Sequence, residues 1–185
     1  MLGVLTGTAL GVRAPDELLW FTLLGLIFVT GFSISLDFSK VLSTVRSNIW
    51  NLIIPFTTVA GSLTGGLVAH FLTGFSLRYS LAISAGMGWY SFTGTYLGGI
   101  DLYAGFLGYV ANVLREVYTY LTYPILARRW RYSSVSIGGA TTMDTTLPLI
   151  TSAGGTEVGV MAFIHGALLT FLIPILIPLI VSLPG

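Results

Sequence analysis

Cysteine is absent from this sequence of 185 residues, and charged residues are scarce. Without cysteine the chain can form no disulfide, no thiolate metal site and no thiol nucleophile. Asp, Glu, Lys and Arg together make up 8% of the residues, whereas about 25% is typical of soluble domains. This scarcity excludes an ordinary soluble globular protein. The formal net charge of +1 provides no basic surface, so we expect no nucleic-acid partner.

Motifs that carry enzymatic chemistry are missing as well. The sequence contains no Walker phosphate-binding loop, no H-E-x-x-H metal motif and no G-x-S-x-G nucleophile motif. An ATP-driven pump or a nucleophilic hydrolase therefore has no support, and we expect neither enzyme activity nor a cofactor or bound metal. Residues 1–12 are apolar, but no basic segment precedes them and no convincing cleavage site follows, so a signal peptide is not predicted.

Long apolar runs are abundant. Hydrophobic residues make up 54% of the chain, and a membrane-spanning helix needs about 20 predominantly apolar residues. The candidate spans are residues 1–12, 17–36, 48–72, 103–127 and 156–183. The first would reach only about 18 Å as a helix, which is short for a span. The predicted fold class is an all-α polytopic membrane protein with about five transmembrane helices, in a single integral domain over residues 1–185.

Two further apolar segments, 79–99 and 132–154, are interrupted by glycine and proline. The first contains Gly86, Gly88, Gly94, Gly98 and Gly99, and the second contains Gly138, Gly139, Pro148 and Gly154. Because these residues weaken a helix interior, both segments are predicted to be broken or re-entrant helices. Half-helices of about 8 residues descend about 12 Å, close to the middle of a core about 30 Å thick. We therefore expect the two tips to meet.

The distribution of basic residues favours re-entry. One loop carries Lys40 and Arg46, and another carries Arg128, Arg129 and Arg131. Basic loops tend to be cytoplasmic, and both loops can be so only if 79–99 enters from outside and returns, with Arg78 as an external exception. This arrangement predicts a cytoplasmic amino terminus and an external carboxyl terminus. It also predicts an inverted repeat of two span-plus-loop units, a common plan of secondary transporters.

The stretch Ser136–Pro148 is unusually polar for membrane depth. Asp144 lies between Thr141–Thr142 and Thr145–Thr146 and has no basic neighbour in the sequence. A carboxylate at that depth is costly unless it lines a protein-enclosed cavity, so Asp144 is predicted to bind a cationic substrate or to carry a proton. The alternative is that Asp144 or a following threonine caps a half-helix whose first turn contains Pro148. The two roles are compatible.

A second polar group lies in the middle of the predicted span 103–127. Arg115 and Glu116 are adjacent, and Asn112 precedes Glu116 by about one turn. Adjacent helix residues diverge by about 100°, so Arg115 and Glu116 are predicted to have separate partners. Glu116 and Asn112 are candidates for binding substrate or protons. Arg115 either takes part in the site or neutralises an acid and locks the bundle.

Aromatic rings, hydroxyl groups and one imidazole complete the candidate site. Trp89 and Tyr90 could hold an ammonium group by cation–π attraction, with Ser91 and Thr93 beside them, or they could be interfacial or core-packing residues. His165 is either a proton relay or a packed core residue. The candidates for substrate or proton binding are Asp144, Glu116, Asn112, Trp89, Tyr90, Ser91, Thr93, Thr142, Thr145 and His165. The candidates for structure or charge balance are Arg115, Gly138, Gly139 and Pro148.

These motifs resemble the lysine exporter LysO family. The resemblance is carried by Ser84–Ser91, Asn112–Glu116, Gly138–Pro148 and Ile164–Gly166, in that order. It implies export of L-lysine and toxic lysine analogues across the cytoplasmic membrane, with protons as the coupling ion. It also implies that acidic intramembrane residues are essential, and Asp144 is similar to one such acid.

The resemblance also bears on partners. Fuller members of the family carry an additional amino-terminal membrane region, so a homodimer or a separately encoded membrane subunit could supply that part. Asp37 resembles a second acid motif of the family. The favoured interpretation is a secondary exporter in which Asp144 and Glu116 alternate between a proton and the substrate ammonium. The alternatives are a membrane subunit that scaffolds a partner and a passive channel.

Overall fold

A computed structural model describes residues 53–183, which form six α-helices and two 3₁₀ helices without any strand. The elements in chain order are α1 (Ile54–Thr73), α2 (Leu77–Ser84), α3 (Tyr90–Gly98), α4 (Leu102–Leu126), the 3₁₀ helices Ser133–Ile137 and Gly139–Met143, α5 (Leu147–Gly154) and α6 (Thr156–Val181). The all-helical fold class is confirmed for this part of the chain. The predicted spans 1–12 and 17–36 and the candidate acid Asp37 lie outside the described residues.

Three long helices coincide with three predicted spans. Helix α1 covers most of 48–72, α4 covers 103–127 to within a residue at each end, and α6 covers 156–183 except for the last two residues. Asp101 caps α4 by accepting a hydrogen bond from the Ala104 amide at 2.7 Å. By length and composition, α6 is the one helix within residues 53–183 that is apolar enough to cross a membrane. The number of spans, the orientation of the termini and the inverted repeat stay predictions.

Helix α6 lies at the centre of the packing. Its buried residues His165, Leu169, Ile173 and Ile177 recur every four positions and so form one face. This helix packs against α2, α5 and the 3₁₀ helix Gly139–Met143, whereas α3 packs along α4. Both interrupted segments therefore pack against α6, and the first also packs along α4 through α3.

The first interrupted segment breaks where its glycines predict. Helix α2 ends at Ser84 and α3 begins at Tyr90. Between them Met87 has a φ of 42° and Gly88 a φ of 99°. A non-glycine residue rarely adopts a positive φ, and the strain is tolerated only where the surroundings fix it. The Asn112 side chain does so, as described below.

The second interrupted segment contains no α-helix before Leu147. Its 3₁₀ helices Ser133–Ile137 and Gly139–Met143 are followed by α5, which has Pro148 in its first turn as predicted. The predicted side-chain cap is not formed, because the N-cap residue Thr146 makes no capping hydrogen bond. The Asp144 carboxylate accepts instead from the amide of the adjacent Thr145. Asp144 is thus free of a capping role in this conformation.

The two breaks touch each other through their backbones. The Ala140 amide donates a hydrogen bond to the Met87 carbonyl at 2.8 Å. Gly139 has a φ of 65°, and a Cβ at this position would overlap the Met87 carbonyl oxygen. Each interrupted segment therefore fixes the position of the other.

Replacing Gly139 tests this contact. We expect Gly139→Ala to lower the thermal unfolding temperature of the purified protein, because the positive φ alone costs about 1–3 kcal/mol and the added methyl group displaces Met87. Gly61→Ala is the matched control, since a Cβ at Gly61 meets nothing within 4 Å. Equal unfolding temperatures for the two variants would contradict the close contact between the breaks.

Candidate functional site

A cavity of about 110 Å³ lies where the two breaks meet. Both interrupted segments contribute to its walls, and α6 adds one residue. The lining residues are Gly88, Trp89, Tyr90, Ser91, Ala140, Thr141, Met143, Asp144, Thr145 and Thr170. Since an apolar cavity of about 150 Å³ holds benzene, this one can accommodate the charged end of an amino acid side chain.

Among the residues in 53–183 that line this cavity, Asp144 presents the only carboxylate. One carboxylate oxygen accepts from the Thr145 amide at 2.5 Å, and the side chain is exposed. Asp144 forms no ion pair within residues 53–183. The ion pair in this part of the chain joins Arg131 to Glu157 at 3.6 Å. A cation that enters the cavity would thus meet an uncompensated negative charge.

Aromatic residues form one side of the cavity. The Trp89 ring packs against Phe92 with centroids 5.0 Å apart, and the Tyr90 ring meets Tyr109 edge-on at 5.5 Å. These neighbours hold the two rings in place. Their faces can attract an ammonium group by cation–π interaction.

Helix α4 brings a second carboxylate into the same region. The Tyr120 hydroxyl, about one turn beyond Glu116, donates to the Thr145 carbonyl. The charges of Glu116 and Asp144 both act on the Tyr90 and Tyr120 hydroxyls. Glu116 is half-buried and, within the described residues, has no hydrogen-bonding or ion-pair partner. The site therefore contains two carboxylates near one pair of tyrosines.

Asn112 is buried and binds backbone groups of the first break. Its Oδ1 accepts from the Gly88 amide at 2.7 Å, and its Nδ2 donates to the carbonyls of Ile83 at 3.1 Å and Gly108 at 2.8 Å. These bonds use both amide hydrogens. In this conformation Asn112 supports the Met87–Gly88 turn and does not line the Asp144 cavity.

Arg115 supports the second break. Its Nε donates to the Ile137 carbonyl at 2.8 Å, and its two terminal nitrogens donate to the Ser136 carbonyl at 2.9 Å and to the Ser62 hydroxyl at 2.8 Å. Arg115 forms no ion pair with an acid in the described part of the chain. Its charge is stabilised by carbonyl dipoles just before the Gly138–Gly139 turn.

His165 joins three elements in the core. Its ring nitrogens lie 2.9 Å from the Thr58 hydroxyl and 3.0 Å from the Thr142 hydroxyl. Thr142 also bonds to the Ala162 carbonyl at 2.8 Å. His165 is 3% exposed, so it has the contacts expected of a packed, hydrogen-bonded core residue.

The structure places the predicted candidates in different positions, and Glu116 lies near the cavity without lining it. Trp89, Tyr90, Ser91, Asp144 and Thr145 line the cavity. Thr93, Asn112, Thr142 and His165 are buried behind it, and Gly138 and Pro148 belong to the second break and the first turn of α5.

Several residues of the site were not predicted from the sequence. Thr170 and Met143 line the cavity, and Ser62 and Thr58 of α1 bind the polar residues behind it. Thr170 follows Gly166 by one turn, and Gly166 is the point where the Gly139–Met143 helix rests on α6. Serine and threonine are common in membrane helices, so α1 carried no specific signal.

Interrupted helices that meet at an acid-lined cavity are typical of secondary transporters. The chain matches the family described as Lysine exporter LysO over residues 1–181. The chain belongs to this family, whose members are membrane exporters of amino acids. The recognition from the sequence motifs is therefore confirmed.

Two relatives illustrate the match. The Lysine exporter LysO of Escherichia coli (strain K12) is 32% identical over 160 residues, which cover 85% of this chain and 52% of that protein. A Haemophilus influenzae protein named "Putative lysine exporter" is 29% identical over 188 residues, which cover 98% of this chain and 96% of that protein. The chain spans about half the length of the E. coli protein. No solved structure matches the chain.

Truncating Asn112 tests its support of the first break. We expect Asn112→Ala to lower the unfolding temperature, because a buried donor without a partner costs about 1–3 kcal/mol and the Gly88 amide loses its acceptor. Thr122→Ala on the same helix is the control, since its hydroxyl bonds only to the Tyr118 carbonyl on the exposed surface. An unfolding temperature equal to that of the control would show that Asn112 does not hold the turn.

Proposed function

We propose that the chain is a secondary exporter of L-lysine, or of a similar cationic amino acid, in the cytoplasmic membrane. Membership of the lysine exporter family supports the export of an amino acid. The E. coli and H. influenzae relatives both carry names that refer to lysine export. The predicted orientation, with the amino terminus inside and the carboxyl terminus outside, is part of the proposal.

The unpaired carboxylate of Asp144 carries this proposal. It lies in a cavity between two helix breaks, beside two aromatic rings and several hydroxyl groups. A lysine side chain ends in an ammonium group, which such a cavity can bind through a charge-assisted hydrogen bond and cation–π attraction.

Coupling to protons follows from competition for one carboxylate. A protonated Asp144 is neutral and does not attract ammonium, whereas an ionised Asp144 does. If the empty, ionised site does not reorient, each cycle exchanges a proton for a cation. Glu116 is the second carboxylate near Tyr90 and Tyr120. In the proposed mechanism it can accept the proton or bind the α-ammonium of lysine.

A second membrane chain is part of the proposal. The Asp144 cavity is open on one side within residues 53–183, and a transport site must be shielded from the membrane and from water during the cycle. A second copy of the chain, or a separately encoded subunit, would close it. A chain that only scaffolds such a partner, and a passive channel, are the competing functions.

The test is lysine efflux from proteoliposomes that contain only this chain, with and without an imposed pH gradient. We expect the gradient to drive efflux and Asp144→Asn to reduce it to background, because the amide removes both the charge and the titratable proton. Asp101→Asn is the matched control, since asparagine caps a helix about as well as aspartate.

Each competing function has its own signature in this assay. Efflux that ignores the pH gradient would indicate a channel. If the folded chain alone gives no efflux, and efflux appears when a partner is co-reconstituted, the chain is a subunit that needs this partner. Near-normal, gradient-driven efflux by Asp144→Asn would contradict the role of Asp144.

A further inference from the structure

A second, larger cavity flanks the Gly138–Gly139 turn. Ile137, just before the turn, lines this cavity, and Ala140, just after the turn, lines the cavity of Asp144. Its volume is about 360 Å³, and its lining residues are Thr57, Thr58, Gly61, Ser62, Arg115, Tyr118, Ser136 and Ile137. Ligand pockets usually have volumes of about 300–1,000 Å³, so this cavity can admit a whole amino acid.

Arg115 gives this cavity a positive charge. A guanidinium has five N–H groups, and three of them bond to Ile137, Ser136 and Ser62. Each terminal nitrogen therefore keeps one N–H. No acidic residue from the described part of the chain lines the cavity, and Arg115 has no acid partner among the same residues.

The hydroxyl groups of the cavity add further donors. The Ser62 oxygen accepts from Arg115, which leaves its own proton without an acceptor within residues 53–183. Tyr118 also lines the cavity, and its hydroxyl makes no hydrogen bond within the described residues. A group of unused donors around a guanidinium is complementary to a carboxylate, which accepts several hydrogen bonds at once.

We propose that the Arg115 cavity is a carboxylate-binding site that takes the α-carboxylate of the exported amino acid. The inference rests on the proposed function in one respect, namely that the cargo is an amino acid. The two cavities then divide the recognition of lysine, with Asp144 selecting the side-chain ammonium and Arg115 selecting the main-chain carboxylate. Export would be restricted to amino acids, because a diamine without the carboxylate would satisfy only one of them.

The experiment compares lysine with its methyl ester, which lacks the free carboxylate, and with norleucine, which lacks the side-chain ammonium. Binding of L-lysine, L-lysine methyl ester and L-norleucine would be measured by calorimetry on the purified full chain, as wild type and as Arg115→Gln. We expect wild type to bind lysine about 10- to 100-fold more tightly than the ester, the range for a charge-assisted hydrogen bond. Arg115→Gln should reduce lysine affinity to that of the ester and leave the ester unchanged.

Two further variants keep the result interpretable. Arg128→Gln removes an exposed arginine and should bind all ligands as wild type does. Ser62→Ala removes one donor and keeps Arg115, so it should lower the affinity for lysine and leave the affinity for the ester unchanged. This variant tests the proposal even if Arg115→Gln fails to fold. Equal loss of lysine and ester affinity in the folded Arg115 or Ser62 variants would show a purely structural role and overturn the proposal.

The ligand panel separates this inference from the proposed function. Norleucine has the carboxylate but no side-chain ammonium. Wild type could bind norleucine and not lysine, and Arg115→Gln could lose the affinity for norleucine. This result would support the carboxylate site and contradict the proposal of lysine export. If wild type binds lysine and its ester equally, a carboxylate of the protein itself satisfies Arg115 and the inference fails. Binding of neither lysine nor norleucine would also overturn it.

Discussion

The hydrogen bond from the Ala140 amide to the Met87 carbonyl is the contact on which the rest of the site depends. Backbone groups inside a membrane protein must be satisfied by protein, because no water is available there. Two interrupted helices solve this problem jointly when their breaks meet. The close approach requires glycine at position 139, and it places the residues on either side of each break at a common cavity. The position of Asp144 relative to Trp89 and Tyr90 is a consequence of this contact.

Polar side chains on the long helices complete the support. Asn112 holds the first break, Arg115 holds the second, and His165 links the second to α1 through Thr142 and Thr58. Each of these side chains bonds mainly to backbone or hydroxyl groups. The carboxylates of Asp144 and Glu116 differ from them, since they have no cationic partner in the described part of the chain. Satisfied polar groups thus form the framework, and the proposed function assigns the binding of cargo and protons to the two acids.

Much of this arrangement could be predicted from local patterns. The helix bounds of α4 and α6 followed from apolar run length, and the two breaks followed from glycine and proline. Asp144 was identifiable because an acid among threonines is costly at membrane depth. The alternative interpretation, that Asp144 or a following threonine caps α5, is not supported, because Thr146 makes no capping hydrogen bond and the Asp144 carboxylate accepts from the Thr145 amide. The roles of Ser62 and Thr58 could not be predicted, since they depend on which face of α1 meets Arg115 and His165.

The central claim is that the substrate ammonium and a proton compete for the Asp144 carboxylate. Calorimetric binding of lysine in buffers with different ionisation enthalpies measures the protons released on binding. The account predicts that wild type releases protons as lysine binds and that Asp144→Asn, if it binds lysine at all, releases none. Tight lysine binding by wild type without proton release, at any pH at which the carboxylate titrates, would contradict the exchange mechanism.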